Sequence, residues 1–478
     1  MIATLLGREA FRAGMDLYFE RHDGEACTIE QFVACFEEAG ETGLSQFMRW
    51  YDQPGTPTVT MTTTAESDGL RVKLRQSQPP APDGTEPQPL PIPLTIEVIG
   101  GEAGAIEGGS GTRVIAPDGA PIVVLEASEG ELRLSGNDEA VLALPVQFSA
   151  PIMLERDGAE MGIARTIAGN ASDPFLRWDA FNSAMLALLA DLGSGGASDP
   201  AAEIETLTAM LEDDALSPAF RAEIAKLPGD AEIARAIGSD VDPDTVHAAR
   251  DRVVRAIALG AGNALAQLYD GMAVTGDYQP NAEQSGRRAL RNMLLDILSA
   301  GEGPERAAKQ YRSASNMTER FAALATLAHR FPASTEAEHA LTQFADEFAG
   351  NALVMDKWLG VQALAPDPSA LDRVIALEDH PTYDPLNPNR VRALWGAFSG
   401  NRVAFHRADG RGHDTLVRRL ATFDATNPQL AARLANAFRD HAQLEPTRRK
   451  TARNALEWLA NREGISVDLR DIVRRTLG

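Results

Sequence analysis

Residues 54–75 read PGTPTVTMTTTAESDGLRVKLR. The turn Pro54-Gly55-Thr56-Pro57 stops whatever precedes it. After it the hydrophobic period becomes two. Thr58–Thr64 is rich in β-branched residues, and Leu70, Val72 and Leu74 alternate with Arg71, Lys73 and Arg75. That pattern predicts half-buried strands. Ile92, Leu94, Ile96 and Val98 alternate in the same way, and so do Leu142, Leu144, Val146 and Phe148. Gly, Pro and Asp clusters separate the runs. About seven short strands over roughly 100 residues predict a small β-sandwich. The stretch Pro79–Pro93 predicts a loop that leads into an edge strand, where proline is tolerated.

Upstream of Pro54 the period is helical. Phe11, Met15, Tyr18 and Phe19 recur at i, i+4, i+7 and i+8. Ile29, Phe32, Val33 and Phe36 recur at i, i+3, i+4 and i+7, behind a capping-box pair, Thr28 and Gln31. Leu44, Phe47, Met48 and Tyr51 repeat that spacing. The segment begins abruptly, already inside a helical pattern. From about residue 165 onward everything reads as helix. Ser217-Pro218, Asp367-Pro368, Asn387-Pro388, Asn427-Pro428 and Glu445-Pro446 each read as an N-cap followed by proline at the first helical position. The helices are too many for a simple bundle, so stacked pairs in a curved array are expected. The fold class is therefore mainly α with a small Ig-like β-sandwich: a short helical N-terminal segment, the sandwich, then a large armadillo/HEAT-like superhelical array. The expected divisions are 1–56, 57–157 and 158–478.

Composition sets limits on function. A chain of 478 residues with 44% hydrophobic and 24% charged residues has the make-up of an ordinary globular protein. No run of 18 apolar residues exists, so no helical membrane span is expected. The net charge of −23 disfavours nucleic acid and anionic membranes as partners. The acidity is uneven, because residues 389–478 carry 17 basic against 9 acidic side chains. The two cysteines, Cys27 and Cys35, read as neighbours on one helix, ~12 Å apart and beyond disulfide reach. Two free thiols and the lack of a secretory signal pattern point to a cytoplasmic protein.

The usual catalytic signatures are missing. No H-E-x-x-H helix motif, CxxC pair, G-x-S-x-G elbow or phosphate-binding Gly-Lys-Ser/Thr loop occurs. Of eight histidines, the closest pairs are His406/His413 and His329/His339. Acidic pairs such as Glu37/Glu38 and Asp213/Asp214 read as solvated helix faces. Two helix starts in the Arg-rich end stand out. One places Arg390 and Arg392 just after Asn387-Pro388, and the other places Arg433 after Asn427-Pro428. Helix N-termini and arginine forks together suit a carboxylate or another anion. Surface or intramolecular salt bridges are the competing explanation.

Several strings resemble one family. Thr4 to Pro57, TLLGREAFRAGMDLYFERHDG…QFMRWYDQPGTP, is similar to the bacterial aminopeptidase N family of zinc metallo-aminopeptidases. Ser315-Asn-Met-Thr318, Asn351-Ala-Leu-Val-Met-Asp-Lys-Trp358 and Asn387-Pro-Asn-Arg-Val-Arg-Ala-Leu394 resemble its C-terminal domain. The resemblance covers only the second half of such an enzyme. It implies that residues 1–56 are the helical end of the catalytic domain, 57–157 the β-sandwich and 158–478 the C-terminal helical array.

The family's zinc, its general-base glutamate, its amine-binding loop and its tyrosine belong to the other half. The resemblance therefore assigns this chain no catalytic residue, no metal ligand and no cofactor of its own. Zinc, and the peptides that lose their N-terminal amino acids, belong to the parent enzyme. The missing N-terminal catalytic half would be the chain's partner, and the chain alone is expected to be inactive. The resemblance also implies that the helical domain closes over the active-site chamber and that Arg392 and Arg433 face substrate there. Without the catalytic half, Phe11, Phe19, Phe32 and Trp50 are expected to be partly exposed. A second reading, from a different class, is an independent helical-repeat scaffold that binds peptides or proteins.

Overall fold

The structure is a computed structural model and describes residues 1–100, 104–136, 139–157 and 161–478. The expected division between 157 and 158 falls against residues 158–160, outside the described residues. The chain forms two compact units, Met1–Phe181 and Asn182–Gly478.

In the first unit, helices Ile2–Leu6, Arg8–His22, Ile29–Gly40 and Arg49–Asp52 come first. Thr28 and Gln31 form the capping box: the Gln31 N–H donates to Thr28 Oγ1 at 3.3 Å, and the Thr28 N–H donates to Gln31 Oε1 at 2.9 Å. Helix Ile29–Gly40 therefore starts after Thr28, and Cys27 lies before it. The expectation that both cysteines share one helix is corrected by this cap. Both are free thiols. Ile2, Val33, Phe36, Leu44 and Phe47 form a small core. Gly14 lies where the second and third helices cross, and a Cβ there would stand 2.5 Å from Phe36 Cδ1. Phe19 is 54% exposed, whereas Phe11, Phe32 and Trp50 are partly buried.

The strands follow: β1 Thr58–Glu66, β2 Gly69–Ser77, β3 Ile92–Thr95, β4 Glu97–Ile99, β5 Ile106–Gly108, β6 Thr112–Ile115, β7 Ile122–Leu125, β8 Glu129–Ser135, β9 Val141–Ala143 and β10 Met153–Arg156. There are ten among the described residues rather than seven, because several are too short to carry an alternating pattern. They form sheets of order β10-β1-β2-β8-β5, β3-β7-β6 and β4-β9. The pairing β1–β2 is antiparallel with Thr58 opposite Ser77, and β1 pairs in parallel with β10.

Leu70, Val72 and Leu74 point into the core while Arg71, Lys73 and Arg75 face out, as the alternation predicts. β3 is the edge of its sheet and contains Pro93, as predicted for the proline-rich approach. Two of the alternating runs are not continuous strands. The run from Ile92 to Val98 breaks between β3 and β4, which join different sheets. The run from Leu142 to Phe148 stops at the cis bond Leu144–Pro145, and Gln147 and Phe148 adopt positive φ.

In the second unit everything described is helix or connection. Its longest element is Pro243–Gly271, of 29 residues. Helices Ala282–Glu302, Met317–Arg330, Thr335–Phe348 and Ala352–Ala363 continue the stack. Ser217, Asn387, Asn427 and Glu445 are N-caps followed by proline, as expected. Asp367-Pro368 is not. That helix starts at Ala370 with Ser369 as N-cap, because the Asp367 carboxylate takes the Ser369 N–H at 2.8 Å and makes a turn first. The end of the array folds back on an earlier part of it, just before helix Pro243–Gly271. The Val241 N–H donates to the Gln443 carbonyl at 2.9 Å, and the Glu445 N–H donates to the Val241 carbonyl at 2.9 Å. Buried Arg448 pairs with Asp242, Asp244 and Glu445, and Arg449 pairs with Asp240.

Candidate functional site

The two singled-out helix starts lie in the second unit. Asn387 Oδ1 accepts from the Asn389 N–H at 3.0 Å, and Pro388 opens the helix. Residues 388–400 run as Pro388–Val391, a π turn Arg392–Gly396, and Ala397–Gly400. A π turn inside a helix is uncommon and often marks a functional position. Arg392 begins it. Its side chain is exposed, and among the described residues Nη1 donates only to Asn389 Oδ1, at 3.0 Å.

Arg390, two residues earlier, has a different fate. Its Nη1 donates to the Ala352 carbonyl at 2.7 Å and pairs with Asp356. It ties its helix to helix Ala352–Ala363 and is not available to a ligand. Asn427 Oδ1 accepts from the Leu430 N–H at 3.0 Å and starts helix Pro428–Ala435. Arg433 is exposed on that helix, and its guanidinium has no hydrogen-bond or ion-pair partner among the described residues. The two helices abut, since a Cβ on Gly396 would stand 3.6 Å from Leu434 Cδ2.

Much of the basic end is neutralised within the unit. Arg411 pairs with Asp372, Arg419 with Glu378, Arg448 with Asp242 and Asp244, and Arg449 with Asp240. The intramolecular explanation therefore holds for most of these arginines. Arg392 and Arg433 stand outside it and have no carboxylate partner among the described residues; Arg418 and Arg462, which lie over the Trp458 ring, have none either.

Sequence reasoning did not find Asp356 or Glu378, which hold the helix that carries Arg392. Glu378 accepts the Trp395 Nε1–H at 2.9 Å and a bidentate pair from Arg419, Nε at 2.8 Å and Nη2 at 2.6 Å. Both acids lie far from residues 388–400 in the chain, so no local spacing signals them.

Zinc is the metal that the resemblance implies for the parent enzyme. Among the described residues, no group of three or more His, Cys, Asp or Glu is arranged to hold a metal ion. His406 and His413, flagged as a close pair, are buried with Nδ1 of one 2.9 Å from Nε2 of the other. His413 Nδ1 is 3.1 Å from Thr451 Oγ1, and Arg448 Nε donates to the His406 carbonyl at 2.6 Å. A pair whose nitrogens face each other beside a guanidinium does not fit a cation.

Residues 164–478 match the family described as "Domain of unknown function (DUF3458_C) ARM repeats". The chain belongs to this family. Residues 55–157 match "Domain of unknown function (DUF3458) Ig-like fold". The whole chain is 36% identical, over 490 residues, to aminopeptidase N of Caulobacter vibrioides. It is 34% identical, over 494 residues, to aminopeptidase N of Escherichia coli K12. All of this chain and 55% of each relative are covered, so the chain spans about half the length of the curated relatives it matches. The crystal structure of Legionella pneumophila aminopeptidase A in complex with aspartic acid shares the fold, with TM-score 0.77 and 22% identity over all of this chain and 55% of that one. The resemblance to bacterial aminopeptidase N, read from short strings, thus extends along the full chain and is consistent with the C-terminal portion. No helix among the described residues is long and apolar enough to cross a membrane.

Proposed function

We propose that this chain serves as the C-terminal portion of an aminopeptidase N-type zinc exopeptidase, which removes N-terminal amino acids from peptides. The carrying observation is full-length similarity to two bacterial aminopeptidases N, of which the chain covers 55%. In this reading residues 1–56 complete the catalytic domain, 57–157 are the sandwich, and 158–478 close over the active-site chamber. The zinc and its chemistry come from the catalytic half, which is the chain's partner. Arg392 and Arg433 offer guanidinium groups to the carboxylate of the bound peptide. Their exposure and scant pairing, beside so many neutralised arginines, support that role. The two free cysteines favour a cytoplasmic setting.

The purified chain, supplied with zinc and amino-acyl chromogenic substrates, is expected to give no turnover above background. Measurable, chelator-sensitive hydrolysis by the chain alone would overturn the inactive reading. Recovery of activity on mixing with a separately made catalytic half would support the partnership.

A further inference from the structure

The contact proposed for Arg392 depends on where the helix at 388–400 points that side chain. Arg392 lies between two fixed points. Upstream, Arg390 is held by Asp356 and by the Ala352 carbonyl, with its side chain only 12% exposed. Downstream, Trp395 is fully buried and its Nε1–H is held by Glu378 at 2.9 Å. Glu378 is itself gripped by both nitrogens of the Arg419 fork. Arg390 and Trp395 are five residues apart, the i→i+5 interval of a π turn's hydrogen bonds rather than the i→i+4 interval of an α-helix. The two anchors bracket the one place where the helix carries an extra residue. Shifting the helix by one residue turns its face by about 100°. A return to α spacing between the anchors would therefore swing Arg392 away from its present direction.

We infer that Asp356 and Glu378 are positioning residues: through Arg390 and Trp395 they hold the π turn 392–396 and so aim Arg392. This rests on the reading of Arg392 as a substrate contact. The carboxylates touch no substrate themselves. They set the register of the segment that does, and both come from helices or turns distant in sequence.

The test uses the full 478-residue chain and the variants Glu378→Gln, Asp356→Asn, Arg392→Ala and their pairwise combinations with Arg392→Ala. Trp395→Phe keeps a ring and removes only the donor, so it replaces Glu378→Gln should that variant fail to fold. Amide hydrogen exchange is read over residues 391–397, with helix Ala282–Glu302 as reference. Binding of trialanine, against its C-terminal amide, is read by calorimetry. Exchange in 391–397 is expected to rise about 10-fold or more in each carboxylate variant, with the reference helix unchanged. Trialanine binding is expected to weaken several-fold, and neither variant should weaken it further once Arg392 is alanine. Unchanged exchange in both variants overturns the positioning role whatever the binding. Faster exchange with undiminished trialanine binding, while Arg392→Ala loses it, overturns the aiming role and leaves the substrate reading standing. If Arg392→Ala binds trialanine as the parent chain does, the substrate reading falls, and exchange alone decides whether the carboxylates hold the turn.

Discussion

Two imidazoles 2.9 Å apart, His406 and His413, occupy a place that rejects added charge. Burial holds His413 down to about 4, reinforced by His441 and Arg448 and only weakly opposed by Asp409. Burial, then His413, Arg402, Arg448 and His441, keeps His406 well below its ordinary value. An unfolded histidine takes up its proton near pH 6.5. Between there and about 4 the unfolded chain binds more protons than the folded one, so stability falls as pH drops through that window. His413 alone contributes a loss on the order of 3 kcal/mol across it. His413→Gln removes that titration. Urea midpoints at pH 7, 5.5 and 4.5 should fall less steeply in His413→Gln than in the parent chain. Parallel profiles would exclude this pair as the acid-sensitive point.

Elements cross where residues are small enough to let them. Helices Arg8–His22 and Ile29–Gly40 meet at Gly14, over the Phe36 ring. Alanine in a helix interior ordinarily gains about 0.5–1 kcal/mol over glycine. Here its Cβ would stand 2.5 Å from Phe36 Cδ1, an overlap worth about 1–3 kcal/mol of strain. The clash wins, so Gly14→Ala should lower the unfolding midpoint, and a raised or unchanged midpoint would show that the ring gives way freely. Element type was legible wherever the signal was local. The Thr28–Gln31 cap, the alternation of β2 and four of the five proline-led helix starts could be read from neighbours in the chain. Each misreading has its own physical cause. Asp367 had a nearer use for its carboxylate than capping a helix, and Phe148 followed a proline that ended its strand. For the candidate site, the arginines were legible but their status was not. Arg390 and Arg392 look alike in sequence, and it is Asp356, 34 residues away, together with the Ala352 carbonyl that takes one of them out of play.

At the scale of the whole second unit, residues near 241 and 445 tie together segments far apart in the chain. Arg448 is 5% exposed and faces three carboxylates. Its replacement by methionine leaves them without their shared guanidinium. Breaking a buried pair costs about 3–5 kcal/mol and an exposed one about 0–1 kcal/mol; with the Asp242 and Asp244 side chains 40% and 53% exposed, the expected loss lies between, at about 1–3 kcal/mol. Denaturant unfolding of Arg448→Met measures it. A loss below about 1 kcal/mol would class the cluster with ordinary surface pairs.

The fold-back at Val241 changes what a cut in this array means. An open stack of helical pairs comes apart from either end, and a severed stack separates. Here the strand-like bridge joins Val241 to Leu444, and Arg448 reaches Asp244, 204 residues away. A protease that nicks a connection between them leaves two pieces still buckled to each other, like an opened link in a clasped bracelet. The last helices of the chain are thus not its loose end.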